Sequence, residues 1–77
     1  MTKDKFLRMM ESTLQVDENT LAGPEALEEF DAWDSLAVMM TLALFDKELG
    51  LKVPAAQIYE CRTVDELAAL AGDRLDG

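Results

Sequence analysis

Asp31-Ala32-Trp33-Asp34-Ser35-Leu36-Ala37 is the stretch on which the reading of this chain turns. It sets one serine behind an aspartate at the mouth of a long apolar run. Asp34 has the side chain of a helix N-cap, because a carboxylate accepts from the free backbone N–H groups of a first turn. Ser35 is then the first helical residue, with its hydroxyl outside the helix barrel and open to solvent. A phosphate ester on that hydroxyl would sit near the positive end of the macrodipole, where anions are favoured. The local physics suits a serine that is modified rather than one that attacks a substrate. Asp-Ser is also an ordinary way to start a helix, so the pair gains meaning only from what surrounds it.

Downstream, the spacing predicts a helix over 35–49 that stops at Gly50, a natural residue just past a helix end. Its apolar residues make two stripes. Val38, Leu42, Phe45 and Leu49 recur at helical spacing on one face, with Met39 beside it. Leu36, Met40 and Ala43, with Leu44 at the margin, make the other. A helix apolar around most of its circumference is either buried or meets a partner. In a chain of 77 residues the first stripe can be buried, while the second is expected to stay partly uncovered.

The flanks are helical too. Phe6, Leu7, Met10 and Leu14 predict a first amphipathic helix over about 3–15. The period is lost from Val16 to Trp33, and Gly23-Pro24 breaks any helix there. So long a loop in so small a domain packs as a structured cover or has a job; Leu27 and Phe30 are expected on the core, with the acids in water. Pro54 opens a short helix over about 55–60. Thr63-Val64-Asp65-Glu66 has the form of a capping box and starts a last helix over about 63–72, with Val64, Leu67, Leu70 and Ala71 facing inward and fraying beyond Gly72. The expected fold class is all-α: three main helices, one short helix and a long first loop.

Composition sets bounds on function. Sixteen acids against seven bases give a net charge of −9. Without a basic patch to release counterions, nucleic acid is not an expected partner. An acidic surface steers towards basic partners and favours a soluble monomer. No apolar run approaches the roughly 18 residues of a membrane span, and the start Met-Thr-Lys-Asp-Lys leads into no signal-peptide pattern. One cysteine makes no internal disulfide, which fits a reducing compartment, by default the cytoplasm.

The residue types that most enzymes need are scarce. There is no histidine, hence neither the usual general base near neutral pH nor the commonest transition-metal ligand. No Gly-rich phosphate loop or zinc-spaced cysteine pair occurs. Asp17, Asn19 and Glu28 fall at calcium-loop spacing, but Leu21 stands at a ligand position and Ala22 replaces the turn glycine, so no metal site is expected. Catalysis by this chain alone is not expected.

Taken together, Asp34-Ser35-Leu36, then Phe45-Asp46-Lys47-Glu48-Leu49-Gly50, Val53-Pro54 and Thr63-Val64-Asp65-Glu66-Leu67 resemble the acyl carrier protein family. The likeness runs over essentially the entire chain, so it implies that 1–77 is one carrier domain with a four-helix fold. It further implies that Ser35 carries 4′-phosphopantetheine, attached from coenzyme A by a phosphopantetheinyl transferase. The terminal thiol would then hold acyl groups as thioesters for delivery to other enzymes. On this likeness the chemistry belongs to the prosthetic group and the partners, in keeping with the lack of histidine. An acyl cavity is implied among Val38, Met39, Leu42, Phe45, Ile58 and Cys61. Cys61, just after the short helix, also reads simply as a small buried hydrophobe.

The likeness is uneven. An aspartate before the serine favours fatty-acid or polyketide carriers over peptidyl carriers. Trp33, however, replaces the small or aliphatic residue common before that aspartate. Many fatty-acid carriers line the second helix with acids soon after the serine; here Ala37 and Met40 hold those places, and the first acid is Asp46, beside Lys47. A docking surface of Leu36, Met40, Ala43, Leu44 and Asp46 is therefore expected to meet acyl-transferring, ligase or synthase enzymes with basic or mixed apolar faces. That suits a specialised pathway better than housekeeping fatty-acid synthesis. Two other readings stay open: a carrier of aminoacyl groups such as D-alanine, and an unmodified acidic adaptor docking through Leu36, Met40 and Leu44.

Overall fold

Three of the four helices in the computed structural model, which describes residues 1–76, begin on a side chain that caps them. Thr2 accepts from the Lys5 amide at 3.1 Å ahead of α1 (Lys3–Leu14). Asp34 accepts from Ala37 N at 3.0 Å ahead of α2 (Ser35–Leu49). Thr63 accepts from Glu66 N at 3.1 Å ahead of α4 (Val64–Ala71). Each bond satisfies one donor that the first helical turn leaves free. The short α3 (Ala55–Glu60) starts behind Pro54, whose ring presets the backbone without needing a donor. The fold is a small all-α bundle of three main helices and one short one.

The helix ends are as local as the starts. Gln15 closes α1 in the left-handed conformation, φ 59°, its N–H reaching back to Glu11 and Ser12 carbonyls. The first helix is thus one residue shorter than its apolar spacing suggests. Gly50 closes α2 at φ 62°, with Leu51 N donating to Phe45 O at 3.0 Å, the double closure that a left-handed residue permits. The last helix is also shorter than 63–72, because Thr63 and Gly72 are its caps and lie outside it. Beyond it, where fraying was expected, the chain makes a 3-10 turn over Gly72–Arg74. The capping box is displaced: Glu66 Oε1 accepts from the Arg62 amide at 3.0 Å rather than from Thr63.

The core is the inward faces of α1, α2 and α4 with Ile58 of α3. Phe6, Phe45, Ile58, Val64 and Leu67 are all fully buried, and the Phe6 and Phe45 rings stack with centroids 6.0 Å apart. Leu70, expected inward, is only half-buried.

The long first loop is a cover, held by backbone bonds that sequence periodicity does not reveal. Leu27 begins a 3-10 turn (Leu27–Glu29) and is buried, with Phe30 half-buried against the core. Leu27 N donates to Arg62 O at 2.8 Å, Val64 N to Glu25 O at 3.2 Å and Asp65 N to Gly23 O at 2.8 Å. Ala26 and Thr63 form an antiparallel bridge. Glu25 does not simply sit in water, as the loop acids were expected to: its carboxylate accepts from Ala22 N at 2.8 Å and Gly23 N at 2.7 Å. Gly23 is required at its place. It sits at φ 128°, and a Cβ there would run into the Asp65 carboxylate.

A second anchor holds the start of the loop. Glu11, 2% exposed on α1, accepts from Asn19 N at 3.0 Å and Leu21 N at 2.8 Å. Arg8 lies 3.4 Å from the same carboxylate, donates to Leu21 O at 2.9 Å and also meets the Asn19 side chain. Burial alone pushes the Glu11 pKa up, but the Leu21 and Asn19 amides and the Arg8 charge outweigh it and hold it below the ordinary 4.5.

Candidate functional site

Ser35 stands in the first turn of α2 with its side chain exposed. Asp34, its neighbour, is extended, and its carboxylate is turned into the helix mouth on Ala37 N. The Asp34 backbone carbonyl meanwhile accepts from Val38 N at 3.0 Å. So the two acceptors of the cap are occupied by the helix, and the serine beside them points outward. Among the described residues the Ser35 hydroxyl has no hydrogen-bond partner. The chain has one other serine, Ser12, within α1. Only Ser35 has its hydroxyl at a helix start, where an attached phosphate would meet the positive end of the macrodipole.

Around the serine, α2 divides into one buried half and one exposed half. Ala37, Val38, Thr41, Leu44, Phe45 and Leu49 are buried, with Leu42 half-buried behind them. Three expectations are corrected by this. Met39 belongs neither beside the inward stripe nor in an interior cavity, because it is 66% exposed. Leu44, expected on the outer surface, is 8% exposed, and Ala37, expected in an outward docking place, is 2% exposed. The reason is angular. At about 100° per residue Met39 follows Val38 out of the core side and shares its face with Ser35, one turn before it. Leu44 comes round almost a full turn from Thr41. Thr41 carried no apolar signal, yet it is fully buried and its hydroxyl donates to Ala37 O at 2.8 Å.

What remains outside is an apolar strip beginning at the serine. Leu36 is 63% and Met40 44% exposed, with Met39 and Ala43 exposed beside them. Asp46 and Lys47 lie in water at its far end. Met40 and Ala43 also form, with Leu44, Met9, Ser12 and Thr13, a shallow groove of about 350 Å³ between α2 and α1.

Most of the interior positions suggested for an acyl cavity are buried, with Leu42 half-buried. Val38 is 2% exposed, and Phe45 and Ile58 are at 0%. Open space lies elsewhere. A cavity of about 650 Å³ is lined by Ala26, Leu27 and Glu28 of the loop, Trp33 ahead of α2, and Tyr59, Cys61, Arg62 and Thr63. Cys61 is the one suggested cavity residue on its wall. The Cys61 thiol is half-buried and donates to Gln57 O at 3.3 Å. Burial, then the charges of Glu66 and Glu60, push its pKa up, so it is held as the unreactive thiol at neutral pH. Trp33 and Tyr59 were not legible as cavity walls, because neither falls in a helical apolar pattern.

Among the described residues no helix is long and apolar enough to cross a membrane. Compared with known families, the chain matches the model described as a phosphopantetheine attachment site over residues 4–71. No curated protein and no solved structure matches it.

Proposed function

Because the chain belongs to the phosphopantetheine-attachment family, whose domain is the site of covalent 4′-phosphopantetheine attachment, we propose that it is an acyl carrier protein with Ser35 as the attachment residue. The exposed Ser35 hydroxyl at the capped start of α2 carries this reading. It is accessible to a phosphopantetheinyl transferase, and Asp34, already engaged on the helix, does not compete for it. When bound, the group supplies a thiol that holds acyl cargo as a thioester. The protein's part is to hold the serine on a fixed helix end and to present a surface that partner enzymes recognise.

On this reading residues 1–77 are one carrier domain, monomeric and cytoplasmic, acting without catalysis of its own. Its docking surface is Leu36, Met39, Met40 and Ala43, with Asp46 at the rim. Apolar anchors at the centre of a contact dominate affinity, while rim charges tune the rate of encounter. A carrier with so apolar a strip suits dedicated acyl-transferring, ligase or synthase partners of a fatty-acid or polyketide-like pathway. An aspartate before the serine supports a fatty-acid or polyketide carrier over a peptidyl one. The adaptor reading uses the same strip but needs no modification, so loading separates the two.

The test is to incubate the protein with coenzyme A, magnesium and a broad-specificity phosphopantetheinyl transferase and to map the product by fragmentation. One phosphopantetheine on Ser35, whose thiol then takes an acyl group that hydroxylamine removes, is the expected result. A protein left unmodified by an active transferase overturns the reading in favour of the adaptor.

A further inference from the structure

Ser35 shares its side of α2 with a methionine. At about 100° and about 1.5 Å per residue, Met39 lies about 40° round the helix from Ser35 and about 6 Å further along it. From Ser35 to Phe45 the helix carries no charged side chain. An enzyme that reaches the Ser35 hydroxyl therefore has Met39 under its footprint, and on this stretch of helix only apolar contact holds it. Of the five methionines, Met39 is 66% and Met40 44% exposed, while Met10 is fully buried. Met1 and Met9 are partly buried against the core.

A side chain so exposed is open to hydroperoxides. With hydrogen peroxide, a sulfur lone pair attacks one peroxide oxygen, the O–O bond breaks, the S–O bond forms and water leaves. The thioether is oxidised to the sulfoxide and the peroxide is reduced, and sulfoxide reductases reverse the change. The sulfoxide is polar and a strong acceptor. In water its oxygen is hydrated and the core is untouched, because neither Met39 nor Met40 is among the buried residues of α2. Under a docked enzyme the same oxygen loses that water, and without a donor aimed at it the contact is weakened.

We propose that Met39 is a reversible oxidation site that governs access of partner enzymes to Ser35: the thioether supports docking and the sulfoxide opposes it. The proposal rests on the carrier reading and adds its regulation. Met40, about 100° further round the helix, is a second site, where the strip meets the α1 groove lined by Met9. Methionine suits such a surface, since it is apolar and adaptable until it is oxidised.

The experiment treats the folded protein with hydrogen peroxide and locates the added oxygen by peptide mass mapping. Loading by a broad-specificity phosphopantetheinyl transferase and coenzyme A is then timed at sub-saturating protein, before and after treatment. Oxygen should appear on Met39 and Met40 ahead of Met10, with the circular dichroism unchanged. The loading rate should fall about tenfold. Methionine sulfoxide reductases with a thiol reductant should restore it, and the reductant alone, which reverses disulfide or sulfenate formation at Cys61, should not. Met39→Leu, an apolar side chain of similar volume, should load equally fast before and after treatment, whatever its starting rate. An untreated parent that never loads counts against the carrier reading itself. A parent that loads as fast with Met39 oxidised as before, oxidation that starts at Met10 or melts the helices, or peroxide-sensitive loading in Met39→Leu would each overturn the proposal.

Discussion

Glu11→Ala should destabilise this protein more than its single lost side chain suggests. The carboxylate is 2% exposed and serves two backbone donors and one guanidinium. Leu21 is buried, so its amide would lose its only acceptor with no water to replace it, at about 1–3 kcal/mol. Asn19 is exposed and its amide can turn to water, which adds little. Arg8 keeps its bonds to Leu21 O and Asn19 but loses its charge partner, for about 1 kcal/mol more on a half-buried pair. The sum is about 2–4 kcal/mol, a large part of the ~4–12 kcal/mol expected for a domain of this size. In thermal denaturation that is a fall of about 10–30 °C. Urea melts of parent, Glu11→Ala and Glu11→Gln across pH supply the assay. The Glu11 pKa is lowered in the fold, so its charge contributes fully above the unfolded value of 4.5 and is lost as pH falls through the lower folded value. The stability gap between parent and Glu11→Gln should therefore shrink below pH 4.5. A loss under about 1 kcal/mol for Glu11→Ala, or a gap that stays constant with pH, would refute the reasoning.

Three further outcomes are expected. Phe45→Ala, which removes a fully buried ring stacked on Phe6, should cost about 3–5 kcal/mol; an unchanged denaturation midpoint would contradict the packing of α2. Gly23→Ala should cost about 1–3 kcal/mol from the backbone at φ 128°, with displacement of Asp65 from Lys3, 2.8 Å away, adding to it; calorimetry of the variant measures the sum. Met40→Glu, on the exposed strip beside Ser35, should slow acyl transfer to the native partner without preventing modification of Ser35, and equal transfer rates would show the strip to be no anchor.

Helices were legible because their signals are local. Asp34, Thr63, Pro54 and Gly50 mark starts and stops within one turn of themselves, and the apolar spacing of α1 and α2 needs no tertiary knowledge. Which way α2 faces was less so. With Leu36, Val38, Met39, Met40, Leu42 and Leu44 all apolar, periodicity offers two stripes, and the packing of α1 and α3 on this helix decides which is covered. That is why Met39 and Leu44 lie opposite to expectation. The loop anchors were invisible for another reason. Glu11 reads as a surface acid until the chain returns with the Asn19 and Leu21 amides, and the Leu27–Arg62 bond joins backbones that carry no side-chain signature. The same return of the loop onto the α3–α4 junction builds the cavity, so its walls, Trp33 and Tyr59, could not be joined from spacing alone. Ser35 was legible because its setting is two residues long.

The central claim is that Ser35 alone carries the prosthetic group, and intact mass tests it most directly. Parent, Ser35→Ala and Ser12→Ala are each incubated with coenzyme A, magnesium and the transferase, with circular dichroism to show that all three keep their helices. Parent and Ser12→Ala should each gain the mass of one phosphopantetheine, and Ser35→Ala should gain none. A folded Ser35→Ala protein that is still modified would contradict the account.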